Sequence, residues 1–331
     1  MLIPFVIDAD SLTPDPQWSP QTQRACYNDF LDAWLRAGLL AFDGDKFENS
    51  KLCEAVRALP VKFRQRVLGM LEWYPRINIP NWKGSVSIND MKLISSVAQI
   101  ALVDDVRAEI EFGLGNDDDE ASQLINERNV TVCRLQAFRY AQIFQDTEKM
   151  ANIHIEHGDT FQTIWKTRFN MLAVAPIKQI SIVDRFAISQ HIKCSQSHLS
   201  GLERFFKLLN ECATGHRYIT IYSAWIDELN ELTINDIEVE LQQLHKKYQK
   251  FIKKITIYMA PNKLFGVDAH DRFVRFDRYV WDLGNGLKVF EGPFSVIRSS
   301  ASFVTGPSTQ SYANVEQDIQ NHKQSVRRDI G

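Results

Sequence analysis

The stretch IALVDDVRAEIEFGL, residues 100–114, holds the pattern from which the fold is read. Ile100 to Val103 is an apolar run, long enough for a buried strand and too short for a helix. Asp104-Asp105 closes the run, and from Arg107 to Phe112 the pattern turns helical. The same order opens the chain, where the apolar run Leu2 to Ile7 ends in Asp8 and Asp10. A strand that feeds a helix is the repeating unit of an α/β protein, in which right-handed crossovers lay successive strands parallel.

Working outward, Ser11 to Pro20 holds three prolines and reads as loop. Tyr27, Phe30, Leu31, Trp34, Leu35 and Leu39 then follow helical spacing, with Gly38 near the helix end. Helices are predicted over Ser50–Leu59 and Val61–Trp73, separated at Pro60, and over Met91–Val97 behind Asn89-Asp90. Val130 to Leu135 is a third strand. The acidic break between Gly113 and Asn129 reads as a solvated loop, and a soft boundary lies at Gln145 to Gly158. Beyond it come a helix over Phe161–Val174, a strand over Gln179–Val183 that ends in Asp184, and a helix from Ser200. A strand over Tyr218–Tyr222, a long amphipathic helix over Ile234–Ile252 and a strand over Ile255–Met259 follow. His270–Asp277, Tyr279–Asp282 and Leu287–Phe290 are three further short strand candidates.

The expected fold class is therefore α/β in two domains, residues 1–145 and 158–298. Each is a mainly parallel sheet flanked by helices, the second a mixed sheet whose closing short strands form its mixed edge. Residues 299–331 turn polar and are expected to form a frayed basic tail.

Composition fits this reading. A chain of 331 residues has room for two domains, and 44% hydrophobic with 24% charged residues is globular. Lys and Arg number 38 against 41 Asp and Glu, a net charge of -3, which argues against wholesale wrapping of a polyanion and leaves a local basic face open. The five cysteines are widely spaced and form no Cys-x-x-Cys pair, so neither a zinc ribbon nor a disulfide framework is readable. No basic n-region precedes the first apolar run and no stretch reaches 18 apolar residues. A soluble, cytoplasmic protein without a membrane span is expected.

The acidic strand ends carry chemistry. In an open α/β sheet the carboxyl ends of the strands face the binding crevice. Carboxylates gathered there repel one another unless a cation neutralises them, and Mg²⁺ or Mn²⁺ suits oxygen ligands. The expected metal ligands are Asp8, Asp10, Asp104 and Asp105. The competing reading is that Asp104 or Asp105 only caps the next helix. PFVIDADSL at 4–12 and IALVDDVRAEIEFGL at 100–114 resemble the PIN-like nucleases, over about residues 1–140. The resemblance implies metal-dependent phosphodiester cleavage with Asp8 and Asp104 catalytic. It also implies an acidic residue on an intervening helix, a place that Glu48 or Glu54 fits. No G-x-G-x-x-G or G-x-x-x-x-G-K phosphate loop is present.

A second constellation is His270-x-Arg272, Asp277 and Gly284-Asn285-Gly286. Its spacing resembles the His-x-Lys, Asp and Gly-rich turn of the phospholipase D superfamily, with Arg272 in the position of the Lys. The longer phrase AHDRFVRFDRYVWDLGNGLKVFEG, 269–292, is similar to the non-catalytic phospholipase D-like domain behind microtubule-interacting-and-trafficking modules. The resemblance covers about residues 161–293. It implies His270 as nucleophile, Arg272 on phosphate oxygens and Asp277 in support. His270, Arg272 and Asn285 are the implied phosphate-binding set. One copy of the motif implies a homo-oligomer if two histidines are to meet. In a strand over 272–276, alternation puts Arg272, Val274 and Phe276 on one face and Phe273 and Arg275 on the other. His191 and His198 flank what reads as a polar loop after Asp184.

Two functional readings follow. The first is a metal-dependent nuclease acting on RNA or DNA, with a degenerate phospholipase D-like domain for phosphate recognition. Its pairing of two phosphodiester-handling folds resembles, by analogy alone, prokaryotic defence or toxin nucleases. The alternative is a non-catalytic module of a larger complex that binds phosphate, nucleic acid or a protein partner.

Overall fold

A computed structural model describes residues 1–13, 18–42, 47–48, 50–79, 82, 84–114, 123–194, 198–226, 232–265 and 272–331. Contacts divide the chain into two compact units, Leu2–Glu148 and Lys149–Gly331, the latter with Met1. Both are α/β, with mixed sheets flanked by helices. Among the described residues no helix is long and apolar enough to cross a membrane.

The Leu2–Glu148 unit has strands β1 (Ile3–Ile7), β2 (Gly38–Phe42), β3 (Ile77–Asn78), β4 (Ile100–Leu102), β5 (Gln123–Ile125) and β6 (Thr131–Cys133). They lie in the order β3-β2-β1-β4-β6-β5, all parallel except the β5–β6 pair. β1 is central and every residue in it is buried, which is why its sequence is an unbroken apolar run. From β1 the chain moves outward to β2 and β3, then returns to lay β4 on the other side of β1. The topological switch point thus falls between the ends of β1 and β4, where α/β sheets open a crevice.

The helix Pro20–Ala37 is capped by Ser19, whose hydroxyl accepts from the Thr22 N–H. It runs directly into β2 at Gly38, where a Cβ would lie 2.8 Å from Trp34 Cα. The sequence pattern missed β2 because Leu39 continues the helical spacing. Phe5 meets the Trp34 ring edge-on at 5.5 Å and lies 4.9 Å from the Phe138 ring, so the apolar face of this helix packs on the central strand.

The Lys149–Gly331 unit has strands β7 (Gln179–Asp184), β8 (Arg217–Trp225), β9 (Ile252–Pro261), β10 (Arg272–Phe276), β11 (Tyr279–Leu283), β12 (Ala301–Thr305) and β13 (Val326–Ile330). Their order is β12-β11-β10-β7-β8-β9-β13. Only β7–β8 and β8–β9 pair in parallel, and the other four pairs are antiparallel. The second sheet is mixed, as expected, but most of its pairs are antiparallel where a mainly parallel sheet was expected. The cause is local: β10 and β11 are joined by a two-residue turn in which Asp277 takes φ 52°, and so tight a connection makes a hairpin.

Three further expectations are corrected. The segment after Ser299 is not a frayed tail: β12 extends one sheet edge, β13 the other, and a helix spans Gln310–Asn321. It reads as polar because β13 alternates half-buried and exposed residues, with Asp329 accepting from the Thr256 hydroxyl at 2.8 Å. Leu287–Phe290 is no strand but part of a 3-10 helix, Gly286–Phe290. The long helix ends at Tyr248, and Ile252 already opens β9, with no Gly or Pro between them to mark the change.

The alternation predicted along β10 holds. Phe276 meets Phe169 and Phe205 at 6.3 Å each, while Phe273 packs edge-on against Tyr312 at 4.9 Å. On the Phe273 side, Arg275 Nε donates to Glu316 Oε1 at 2.7 Å, and the Ser181 hydroxyl donates to Glu316 Oε2 at 3.0 Å. Glu316→Ala leaves a largely buried guanidinium without its counter-charge, so a loss of about 3 kcal/mol in urea unfolding is expected. Arg275→Met combined with Glu316→Leu recovers most of it, because an apolar pair of similar volume needs no compensation.

Candidate functional site

The switch point of the first sheet gathers carboxylates. Asp8 follows β1 and Asp104 follows β4 by two residues. The β1–β4 ladder continues one step beyond β1, with the Asp8 N–H donating to the Leu102 carbonyl at 2.8 Å, which fixes the two strand ends side by side. One carboxylate oxygen from each of Asp8, Asp10 and Asp104 lies within 4.8 Å of the other two. Asp8 is buried, Asp104 half-buried and Asp10 exposed, so the group runs from the sheet out to the surface. It borders a cleft of about 490 Å³, whose lining includes Asp10, Ser11, Trp18, Asp104, Asp105 and Gln136.

The aspartates that gather here also serve as helix caps. Asp8 Oδ1 accepts from the Asp10 N–H at 3.3 Å and caps the 3-10 turn Ala9–Leu12. Asp104 Oδ1 accepts from the Arg107 N–H at 3.1 Å and caps the helix Asp105–Ile110. The second oxygens face Arg107, whose Nη1 lies 2.9 Å from Asp8 Oδ2 and whose Nε lies 3.7 Å from Asp104 Oδ2. The same Nη1 donates to the Val86 carbonyl. One guanidinium therefore stands against three carboxylates. The imbalance shows in Asp8: burial above all pushes its carboxyl up to about 6, Arg107 and the Asp10 N–H pull the other way, and the charges of Asp104 and Asp10 add to the rise.

Asp105 lines the cleft and pairs with Arg134 Nε at 2.8 Å, which draws it away from the triad. Glu48 is exposed beyond β2 and is not part of the carboxylate group. Glu54 sits in the first turn of the helix Lys51–Ala58 and is equally outside it. Arg107 carries no site signal of its own in the sequence, because the pairing of β1 with β4 is what sets it against Asp8 as well as Asp104. Trp18 and Gln136 carried no signal, because they reach the cleft through the tertiary fold alone.

In the other unit the described members of the second constellation do not meet at one site. His270 lies outside the described residues. Arg272 Nη1 donates to the Gly284 carbonyl at 2.7 Å, and its guanidinium stands 5.3 Å from the Phe186 ring centre. Asp277 is the hairpin turn residue at the far end of β10, roughly 16 Å along the strand from Arg272. The two do not form a joint site. Asn285 Nδ2 donates to the Arg298 carbonyl at 3.1 Å. The glycine turn docks on buried Asp184, whose Oδ1 accepts from the Phe186 N–H at 2.9 Å and whose Oδ2 accepts from the Leu287 N–H at 2.8 Å. His191 is no loop residue: it lies in the helix Ala187–Cys194, buried, with Nδ1 2.8 Å from the Ser200 hydroxyl.

No protein-family model and no curated protein matches the chain.

Proposed function

We propose that this chain is a metal-dependent nuclease acting on RNA or DNA, with Asp8, Asp10 and Asp104 as the residues that hold the cation. The observation that carries the reading is the convergence of these three carboxylates at the sheet switch point, beside a cleft, with the Arg107 guanidinium opposing them. An all-carboxylate donor set suits Mg²⁺ or Mn²⁺. Such a cation, when bound, polarises a phosphodiester and activates water.

The chain's own residues supply the rest. The helix caps hold one oxygen of Asp8 and one of Asp104 in fixed directions and leave lone pairs for a ligand. Trp18 on the cleft wall offers an aromatic face for a base, and Gln136 a polar edge. Arg107 keeps the metal-free cluster folded by offsetting part of its charge. Arg107 is also the observation that favours the non-catalytic alternative, since a guanidinium between two carboxylates is an ordinary structural device. In the second unit, the bonds made by Arg272 and Asn285 lend no support to phosphate recognition there.

The test is cleavage of single-stranded RNA and DNA by the purified full chain. Cleavage is expected with Mn²⁺ or Mg²⁺ and not with EDTA, and Asp104→Asn is expected to lower its rate by about a thousandfold. Substrate that stays intact with every divalent cation leaves the non-catalytic module as the reading.

A further inference from the structure

The Lys149–Gly331 unit carries a second cluster of metal-ligating side chains, with a different donor set. Cys194 closes the helix Ala187–Cys194, and the His198 N–H donates to the Cys194 carbonyl at 2.9 Å, which brings the two residues side by side. Glu291 follows the 3-10 helix Gly286–Phe290 and arrives from 97 residues away in sequence. Cys194 Sγ donates to Glu291 Oε1 at 3.1 Å, and His198 Nε2 lies 3.4 Å from the same oxygen. The three ligand atoms lie within 4.8 Å of one another.

We infer that Cys194, His198 and Glu291 form a zinc site, with the fourth position open to water. In a tetrahedral site with Zn–S near 2.3 Å and Zn–N and Zn–O near 2.0 Å, neighbouring ligand atoms stand roughly 3.3–3.6 Å apart. The His198–Glu291 separation of 3.4 Å already matches that spacing, the Cys194–Glu291 separation of 3.1 Å opens by a few tenths of an ångström, and the third pair stands no more than 4.8 Å apart. One thiolate, one imidazole and one carboxylate favour Zn²⁺ over Mg²⁺, and the two anionic ligands balance the charge of the ion. His198 and Glu291 also line a cleft of about 200 Å³ with Lys288 and Asn285, which leaves room for a water at the fourth position.

The cluster is poorly built for the other chemistry of a cysteine. Burial first, and then the hydrogen bond and charge of Glu291, push the Cys194 thiol up to about 11, so no reactive thiolate stands ready. Zinc binding changes the balance directly: the thiol gives up its proton to solvent as the sulfur–zinc bond forms, and the Glu291 carboxylate exchanges an S–H donor for the cation. The cluster also joins two segments that already meet nearby, since a Cβ on Gly201 would come within 2.0 Å of the Leu287 carbonyl oxygen.

The full chain, stripped of metal and titrated with Co²⁺, tests this. One equivalent is expected to develop a sulfur-to-cobalt charge-transfer band, and Zn²⁺ is expected to displace it. Cys194→Ser removes the band, His198→Ala and Glu291→Gln weaken Zn²⁺ binding by about ten- to a hundredfold, and Asp104→Asn leaves all of this unchanged. Absence of the band in the unaltered chain, or its survival in Cys194→Ser, overturns the site. If Cys194→Ser does not fold by circular dichroism, exposed His198 decides, because unchanged Co²⁺ affinity in His198→Ala overturns it equally.

Discussion

Asp8→Asn is expected to abolish Mn²⁺-dependent cleavage and, in the same protein, to raise the melting temperature of the metal-free fold at pH 8. Both effects come from one feature. Asp8 is 1% exposed, and burial together with the charges of Asp104 and Asp10 raises its carboxyl from 3.8 to about 6 despite Arg107. The folded state therefore binds this proton more tightly than the unfolded chain does. The sign follows from linkage: where the folded state holds more protons, stability falls as pH rises. The favourable contribution is complete below pH 3.8 and is lost as pH climbs through about 6. A shift of this size corresponds to about 3 kcal/mol.

Asparagine has no charge to lose, so its stability is flat across the same window. It surrenders the Arg107 ion pair, so the net gain at pH 8 is expected to be about 1–2 kcal/mol. Thermal melts in EDTA at pH 5 and pH 8 read this directly. Saturating Mn²⁺ is expected to reverse the order, since a ligand at a hundred times its Kd stabilises the unaltered chain by about 2.7 kcal/mol and the variant hardly at all. Identical melts for the two proteins at both pH values, with and without Mn²⁺, would mean that the carboxylates neither repel one another nor gather a cation.

The strand-end aspartates were legible in the sequence because their signal is local: an apolar run, a carboxylate, a helix. That local rule placed Asp8 and Asp104 at strand ends, and the strand order then brought them together. What the rule could not deliver was the opposing charge. Arg107 reads as one more surface cation on a short helix until β1 is laid beside β4. The edge strands were illegible for a related reason. β12 and β13 are only half covered, β12 with four half-buried residues in a row and β13 alternating half-buried and exposed ones, so both lack the buried apolar runs that mark β1 and β7. The helix Ala187–Cys194 was hidden by the polar residues Ser189, Gln190, His191 and Lys193, two of which the fold buries: Ser189 donates to the Phe186 carbonyl, and His191 meets Ser200. The Gly284-Asn285-Gly286 turn shows the opposite failure. It was conspicuous in the sequence, and its spacing matched a phosphate-handling family, yet its partner is a side chain of the chain itself.

That partner gives the second large effect. Gly286→Ala is expected to destabilise the protein by about 3–5 kcal/mol, for two separable reasons. Gly286 sits at φ 55°, where an L-residue is strained by about 1–2 kcal/mol. Its Cβ would also lie 2.1 Å from Asp184 Oδ2 and 2.6 Å from Cγ, so the Asp184 side chain must move. Moving it strips the Phe186 and Leu287 N–H groups of their shared acceptor at a position only 2% exposed. Gly292→Ala isolates the first reason: Gly292 has φ 85°, and the nearest atom to its Cβ would be the Phe294 carbonyl oxygen at 3.8 Å, so backbone strain of about 1–2 kcal/mol is all that is expected. Urea unfolding of the two variants side by side therefore measures the Asp184 contact as their difference. A turn kept for phosphate predicts a different pattern, in which Gly286→Ala weakens phosphate binding and costs no more stability than Gly292→Ala.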